Sequence, residues 1–318
     1  MTNNSRHIPV MLNEVINYLS PKDGEVYVDA TFGNGGYSEA ILNSANCKVI
    51  AIDRDPSVLK RVNEIKEKYG NRFEFVSGTF GDIEELIKTK VNGVVFDIGV
   101  SSMQLDDGFR GFSFSKEAEL DMRMSMSGMS AKDIVNTMPE EKLADLIYMY
   151  GEEKKSRQIA RKISLAREVK EITTTTELAS IIYSVSPKKF GQIDPATRTF
   201  QALRIAVNDE LSQLENGLKG ASNVILGDGR VVVVTFHSLE DKICKNVFKE
   251  VSSIDENLKR MPIIPENLMP KYKETIEVEG DEIFSFSSKA ITPTQDECEN
   301  NPRARSAKLR YAIKRKGK

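Results

Sequence analysis

The chain has 318 residues, which is enough for about two domains of roughly 100–200 residues and for a core that needs no disulfide or metal to hold it. Its 40% hydrophobic and 29% charged residues exclude a collagenous, a wholly disordered or a disulfide-framework protein. Lys and Arg number 45 against 47 Asp and Glu, so the net charge of -2 does not indicate a nucleic-acid partner, and any basic surface must be local.

The first hundred residues alternate short β-branched runs with helical patterns, which predicts a parallel sheet covered by helices. The predicted strands are Val26–Phe32, Lys48–Asp53, Phe73–Ser77 and Gly93–Val100. The predicted helices between them are Tyr37–Ser44, Pro56–Tyr69 and Gly81–Lys88. Asp55 followed by Pro56 favours a helix start, with Asp as the N-cap and Pro in the first turn.

The pattern changes after Val100. Residues 101–130 are rich in Ser, Gly, Met and Asp, which is typical of a loop, and every signal from there to about residue 221 is helical. Apolar residues at helical spacing predict one long helix over Arg198–Leu218. Strand patterning then returns at residues 230–236 and again at residues 308–314, with a predicted helix over residues 239–252. The chain therefore resumes its α/β pattern after a helical stretch.

This order predicts two domains. Residues 1–107 and 216–318 would form one discontinuous α/β domain, and residues 108–215 an all-helical insertion that we expect to recognise the substrate.

A glycine-rich turn, Gly33-Asn-Gly-Gly-Tyr-Ser38, joins the first predicted strand to a helix. Glycine allows backbone to turn sharply and to approach a ligand closely. Asp53 ends the next strand, 20 residues beyond Gly33, where a carboxylate reaches the ribose hydroxyls in nucleotide-binding α/β folds. The turn is therefore a candidate cofactor site.

Two cofactors compete for this turn. A dinucleotide site favours G-x-G-x-x-G, but Ser38 stands where the third glycine belongs. Asp29 would repel a pyrophosphate, whereas S-adenosylmethionine carries a sulfonium and an ammonium and no phosphate. The turn favours S-adenosylmethionine over NAD.

Two residues follow other predicted strands at the ligand-binding edge of the sheet. Asp97 lies at the end of the fourth strand, between a cofactor and its reaction partner, although an Asp here also suits a turn cap. Phe80 follows the third strand and either flanks an adenine ring or belongs to the core.

Three separated cysteines and two histidines predict no metal site and no disulfide framework, and a reducing compartment fits them best. The N-terminus lacks a signal-peptide pattern, and the most apolar run is too short to span a bilayer. We therefore expect a cytoplasmic protein without membrane contact.

Eight segments of the chain, among them the glycine-rich turn and the segment that begins at Asp97, match one protein family. The sequence resembles the ribosomal RNA small subunit methyltransferase H family, whose members methylate N4 of a decoding-centre cytidine in 16S rRNA. The matching segments occur in the family's order from end to end: His7–Val10, Asp29–Ser38, Asp97–Asp106, Arg110–Phe114, Leu120–Met124, Arg198–Asn208, Thr235–Asp241 and Asn301–Arg310.

The resemblance implies a class I methyltransferase fold (α/β, Rossmann-like) with a helical insertion. It also implies S-adenosylmethionine as donor, 16S rRNA or the small ribosomal subunit as partner and a cytoplasmic location, and it leaves a homodimer open. The implied cofactor contacts are Gly35, Gly36, Tyr37, Asp53, Phe80, Asp97 and Gln104. The family usually has His where this chain has Tyr37. The difference would change the affinity for the cofactor if the imidazole makes the contact, and would not if the backbone makes it.

The expected catalytic residue is Asp97. The exocyclic N4 of cytosine is a poor nucleophile, because its lone pair is delocalised into the ring, and it needs a group that orients it and accepts its hydrogens. Asp97 would fill that role, or would instead hold the donor's ammonium. His237, after the fifth strand, and His7 are weaker candidates for a substrate contact. An RNA-binding ribosome assembly factor that retains the pocket without turnover is the non-enzymatic alternative.

Two features suggest where RNA could bind. Phe109, Phe112 and Phe114, interleaved with Arg110, either stack on an unpaired base or pin the insertion onto the sheet. The C-terminal residues 303–318 carry eight basic and no acidic side chains. They are a better candidate for phosphate contacts than residues 152–170, where acidic and basic side chains are mixed.

Overall fold

The computed structural model describes residues 9–100, 110–252, 284–287 and 289–315. The chain divides into two compact units. The sheet unit comprises Ile8–Ile52, Asn63–Ile98 and Leu214–Lys318, and the helical unit comprises Met1–His7, Asp53–Val62 and Gly99–Gln213. The domain boundaries predicted from the sequence stay a prediction.

A seven-stranded sheet forms the centre of the sheet unit. Its strands are β1 (Val26–Asp29), β2 (Lys48–Asp53), β3 (Phe73–Ser77), β4 (Val91–Asp97), β5 (Ile225–Thr235), β6 (Phe284–Phe286) and β7 (Lys308–Lys314). The strand order is β3-β2-β1-β4-β5-β7-β6. The pairs β1–β2, β1–β4 and β4–β5 are parallel, whereas β7 runs antiparallel to both of its neighbours. This confirms the predicted α/β, Rossmann-like methyltransferase fold.

Twelve α-helices are numbered here through the described residues. They are α1 (Leu12–Leu19), α2 (Gly36–Ser44), α3 (Leu59–Tyr69), α4 (Ile83–Leu86), α5 (Ala131–Thr137), α6 (Glu140–Gly151), α7 (Ser156–Val169), α8 (Thr175–Val185), α9 (Ala196–Asn208), α10 (Glu210–Val224), α11 (Ser238–Ser252) and α12 (Gln295–Asn300). Short 3-10 turns occupy Pro56–Val58, Gly70–Arg72, Phe80–Asp82 and Pro302–Ser306. No helix in this described part of the chain is long and apolar enough to cross a membrane.

Several helix starts follow directly from the local sequence. The Asp55 side chain accepts a hydrogen bond from Ser57 N ahead of Pro56, as predicted. Helix α5 begins with a capping box between Ser130 and Asp133, in which each side chain bonds the other residue's backbone N–H. These caps satisfy amide groups that a helix start would otherwise leave without a partner.

The predicted single helix over Arg198–Leu218 is wrong. Helix α9 ends at Asn208, Asp209 adopts a left-handed φ of 49°, and α10 begins at the next residue. Aspartate tolerates this conformation better than most residues. The apolar spacing continues across the break, so periodicity alone could not reveal it.

The core of the sheet unit lies between the strands and the helices that cover them. Val94 and Phe96 of β4 and Val231 and Val233 of β5 are essentially inaccessible and pack with Leu218 of α10. Residues 226–229 form an irregularity within β5, since Val91 pairs with Ile225 and Gly93 pairs with Arg230. The sheet therefore holds the carboxyl ends of β1, β4 and β5 in fixed register.

Asn208 ties loop residues to helix α9 in the helical unit. Its amide nitrogen donates to Met122 O (2.8 Å) and to Arg204 O (2.9 Å), and its Oδ1 accepts from Met124 N (2.9 Å). Asn208 is 5% exposed, so water cannot replace these partners.

We therefore expect Asn208→Ala to lower the free energy of unfolding by about 3 kcal/mol, because it leaves buried backbone groups of residues 122 and 124 without partners. Urea denaturation followed by circular dichroism measures this loss. The matched control is Asn223→Ala, which removes an exposed 3.0 Å bond to Glu84 and should cost less than about 0.5 kcal/mol. Equal losses in the two variants would contradict this role of Asn208.

Candidate active site

Three carboxylates lie at the ends of neighbouring parallel strands of the sheet unit. Asp29 ends β1 and Asp97 ends β4. Glu240 lies in the first turn of α11, just beyond β5. The carboxyl edge of a parallel sheet is where such folds bind ligands. This edge is therefore the candidate active site.

Asp29 fastens the glycine-rich turn to the first strand. Its Oδ2 accepts hydrogen bonds from Ser38 N (3.1 Å) and Ser38 Oγ (2.7 Å), and its Oδ1 accepts from Thr31 N (3.3 Å). Both Asp29 and Ser38 are fully buried. Ser38 therefore has a structural reason to stand where a dinucleotide site has its third glycine.

Glycine is required at two positions of this turn. Gly35 has a φ of 73°, and a Cβ there would lie 2.4 Å from Ile65 Cδ1. A Cβ on Gly36 would lie 2.2 Å from Pro9 Cγ. Real Cβ atoms do not approach other atoms this closely, so a side chain at either position would displace its neighbours. The turn therefore packs tightly against both α3 and the residues before α1.

The Tyr37 side chain points into the protein interior. Its hydroxyl donates to Val10 O, the residue is 3% exposed, and burial raises the pKa of its phenol well above the usual value. Next to it, Met11 N donates to Glu297 Oε1 (2.6 Å), which links the start of α1 to α12. Tyr37 thus uses its side chain for packing, and a cofactor contact here would be made by its backbone.

Asp97 combines burial with an unpaired oxygen. Its backbone N–H donates to Thr31 Oγ1 (2.7 Å), but its buried Oδ1 has no hydrogen-bond partner among the described residues. Burial, together with the nearby carboxylates of Asp29 and Glu240, raises the pKa of Asp97 to about 8. A buried polar atom without a partner is uncommon and indicates a ligand or a reaction partner.

Glu240 is a site residue that the sequence analysis missed. Its side chain is inaccessible, and its Oε2 accepts hydrogen bonds from Phe236 N (2.7 Å) and His237 N (3.2 Å). His237 Nδ1 accepts in return from Glu240 N (3.4 Å), so His237 caps α11 with Glu240 at the third helical position. The four-residue spacing of a capping box in His237-Ser-Leu-Glu240 was the sequence signal that could have identified Glu240. This cap gives His237 a structural role, and its Nε2 lies 2.8 Å from Glu240 Oε1. A substrate contact of His237 stays a prediction.

The other predicted cofactor residues have mixed placements. Asp53 is the last residue of β2, and its Oδ1 accepts from Asp55 N (2.8 Å). The Phe80 ring packs edge-on against Phe96, with centroids 5.9 Å apart, and is partly buried against the core of the sheet unit. Gln104 lies outside the described residues, as does His7.

S-adenosylmethionine fits the chemistry of this edge. A sulfonium and an ammonium are cations, and the edge offers buried carboxylates, one of which has an oxygen without a partner among the described residues. A bound cation lowers the cost of ionising such a group. A pyrophosphate would instead face like charge.

The aromatic side chains proposed for base stacking are packed in the helical unit instead. Phe112 is 8% exposed, and Phe114 packs edge-on against Phe200 with centroids 5.1 Å apart. Arg110 is buried, paired with Asp55 and lies over the Phe112 ring. This packing favours a structural role for Phe112, whereas Phe114 is only partly buried. Base stacking by these rings stays a prediction, and Phe109 lies outside the described residues.

The C-terminal basic run is also less available to RNA than expected. Arg310 is 7% exposed and pairs with Asp241 at 2.6 Å, which Lys308 also contacts at 3.2 Å. Lys314 is 1% exposed and donates to the carbonyl oxygens of Ser222 and Ile225, each at 3.0 Å. Arg310 and Lys314 therefore hold β7 in place, because charged groups are buried only when partners satisfy them. Lys308 is paired but remains 43% exposed.

The sequence pattern of the MraW methylase family matches residues 4–315. This chain belongs to that family. It is 50% identical over 309 residues to the ribosomal RNA small subunit methyltransferase H of Rickettsia massiliae (strain Mtu5), covering 96% of this chain and 97% of the relative. It is 48% identical over 309 residues to the protein of the same name from Rickettsia bellii (strain OSU 85-389), covering 97% of this chain and 98% of the relative.

Among solved structures, an rRNA methylase from Streptococcus thermophilus is similar with a TM-score of 0.41 and 9% identity, covering 98% of this chain and all of that one. Membership of the MraW methylase family confirms the resemblance seen in the sequence motifs. It also confirms that the chain is an enzyme of the S-adenosylmethionine-dependent methyltransferases.

We expect Tyr37→Phe to lower the free energy of unfolding by about 1–2 kcal/mol, because the Val10 carbonyl loses its buried donor. The affinity for S-adenosylmethionine should stay within about twofold of the parent value, since only the backbone of residue 37 remains for that contact. Urea denaturation and isothermal titration calorimetry measure the two quantities. Lost affinity at unchanged stability would show that the phenol itself contacts the cofactor.

Proposed function

We propose that this chain transfers a methyl group from S-adenosylmethionine to N4 of a decoding-centre cytidine in 16S rRNA. The name of the relatives supports ribosomal RNA of the small subunit as the substrate. The observation that carries the chemistry is the buried, unpartnered Oδ1 of Asp97 at the carboxyl edge of the sheet, where no described residue satisfies it. A cytoplasmic location and a homodimer belong to the same proposal.

The expected cofactor residues divide into two groups. Gly35, Gly36 and the backbone of Tyr37 shape the turn at the start of α2, and the two glycines allow this turn to pack closely against Ile65 and Pro9. Asp53 would bind the ribose hydroxyls, with Phe80 and Gln104 as the remaining contacts. S-adenosylmethionine, when bound, supplies an electrophilic methyl group on a positively charged sulfur.

Asp97 would act on the nucleophile. Its carboxylate accepts a hydrogen from N4 of cytosine, which localises the nitrogen lone pair and orients it toward the methyl group. The same carboxylate stabilises the positive charge that develops on N4, and it can take up the proton that N4 then releases. A carboxyl group whose pKa lies near the working pH suits this exchange. Alignment of the reactants supplies much of the remaining acceleration, about 7–11 kcal/mol in favourable cases.

We expect Asp97→Asn to lower kcat by at least about 100-fold, because the amide keeps the shape of the side chain but cannot accept the proton. The assay follows labelled methyl groups from S-adenosylmethionine into small ribosomal subunits that lack the modification, with nucleoside mass analysis. The control is Asp145→Asn, which removes an exposed pair with Arg157 and should leave kcat unchanged.

Three outcomes would overturn parts of this proposal. Label on another atom or base would refute the cytidine N4 assignment. Full activity of Asp97→Asn would refute the role of Asp97. No label with the parent protein, despite cofactor binding and a competent substrate, would favour the assembly-factor alternative.

Binding of S-adenosylmethionine should release up to one proton below pH 8. The free enzyme holds Asp97 protonated there because its pKa is raised to about 8, and a bound cation favours the ionised form. Affinity should therefore rise with pH, by at most about tenfold per unit, and level off above pH 8. Calorimetry in buffers of different ionisation enthalpy measures the proton release, which Asp97→Asn should abolish.

S-adenosylhomocysteine separates the two roles considered for Asp97. This product keeps the ammonium but lacks the positive sulfur and its methyl group. Proton release with both compounds would assign Asp97 to the ammonium. Release with S-adenosylmethionine alone would support a position of Asp97 beside the reacting atoms, as proposed here.

A further inference from the structure

The most exposed large apolar side chain described in the helical unit belongs to Phe190. It is fully exposed, and Ile193, three residues later, is 78% exposed. Both lie in the loop that joins α8 to α9. An exposed aromatic ring gives up the free energy of burial in a core, and exposed apolar groups of this kind often mark a binding site.

A tight turn holds Phe190 outward. Gln192 N donates to Lys189 O (3.3 Å), and Gly191 between them has a φ of 72° with nothing within 4 Å of a Cβ built there. This places Phe190 at the second position of a four-residue turn whose third residue needs a positive φ. The aromatic ring therefore projects from a defined turn.

The base of the same loop is fastened at both ends. Lys188 Nζ lies 2.9 Å from Asp194 Oδ2 and 4.4 Å from the centroid of the Tyr183 ring. The Tyr183 hydroxyl also donates to Asp194 Oδ2 at 3.2 Å, and Asp194 Oδ1 accepts from Ala196 N at 2.9 Å. This network joins the end of α8 to the start of α9, so the two ends of the loop that carries Phe190 are held together.

The charge beside Phe190 is positive. The Lys189 side chain is exposed and makes no hydrogen bond or ion pair with any residue that the structure describes. An exposed aromatic ring next to a free cation is the combination that binds unpaired RNA, in which the base stacks on the ring and the phosphate meets the cation. A protein partner would more commonly meet a broader apolar patch, with lysine depleted.

We propose that the tip Lys189-Phe190-Gly191 is an RNA contact of this enzyme, in which the Phe190 ring stacks on an unpaired base and Lys189 binds an adjacent phosphate. The inference rests on the proposed function, because it takes the RNA to be the methylation substrate. It places base stacking at the α8–α9 loop, in addition to the positions that the sequence suggested.

The first test uses fluorescence, since the chain contains no tryptophan. Phe190→Trp introduces a single indole at the tip, and base stacking quenches indole emission. We expect small subunits that lack the modification to quench the emission of the indole at position 190 by at least half, because a base of their 16S rRNA stacks on it. Tyr148→Trp is the matched control, because Tyr148 is also an exposed aromatic of the helical unit (60%) and its emission should change little. Equal quenching at both positions, or none at position 190, would overturn the proposal.

The second test uses methylation kinetics. Phe190→Ala should raise KM for small subunits about tenfold with little change in kcat, because stacking contributes about 1–3 kcal/mol per base. Phe190→Tyr should restore KM, whereas Phe190→Leu, equally apolar but without a ring, should not. Rescue by Leu would indicate an apolar protein contact. A blue shift of the Phe190→Trp emission with anionic lipid vesicles but not with RNA would indicate a membrane. Either result refutes RNA stacking.

The two readouts separate the inference from the function on which it rests. Quenching of the indole in Phe190→Trp needs no methyl transfer, so it decides the stacking contact even if the cytidine assignment fails. Normal methylation by this variant with an unquenched indole would leave the function standing and remove the contact.

Discussion

The hydrogen bonds between Asp29 and Ser38 are the interaction on which the active site depends. They join the last residue of β1 to the first turn of α2 and are shielded from water on all sides. Hydrogen bonds to an ionised acceptor are among the stronger ones in proteins. The glycine-rich turn between these residues therefore starts and ends at fixed points. Everything that the turn offers to a cofactor follows from that attachment.

Three carboxyl groups lie at this edge of the sheet, where burial raises the free energy of an ionised group. Asp29 and Glu240 each satisfy an oxygen with backbone amides, whereas Asp97 Oδ1 finds no such partner among the described residues. Burial and the neighbouring carboxylates of Asp29 and Glu240 raise the pKa of Asp97, and the same negative charge favours a positively charged ligand at this edge. A site of this kind discriminates by charge first: cationic ligands relieve the repulsion, and phosphorylated cofactors increase it. Negative charge at this edge thus suits the donor.

Much of the sheet could be predicted because burial imposes a strong pattern. Lys48–Asp53, Phe73–Ser77 and Lys308–Lys314 were predicted at their observed bounds, since β-branched runs there coincide with buried strands. The three-residue strand β6 carries too little pattern to find. The break at Asp209 depends on one backbone angle and not on composition. Some of the aromatic and basic residues proposed for RNA binding are already used inside the fold, as Phe112 and Lys314 are, and residue type alone does not reveal this.

The link between Met11 and Glu297, together with the place of β7 beside β5, has a consequence for synthesis of the chain. The hydrogen bond between Met11 and Glu297 forms only after α12 has been made, and β5 gains its second neighbour only from residues 308–314. At about 5–20 residues per second, the ribosome needs roughly 15–60 s between Asp29 and Lys314. Once β5 has been made, its edge opposite β4 stays unpaired until β7 follows. The sheet that carries the candidate active site is thereby completed only by residues 308–314.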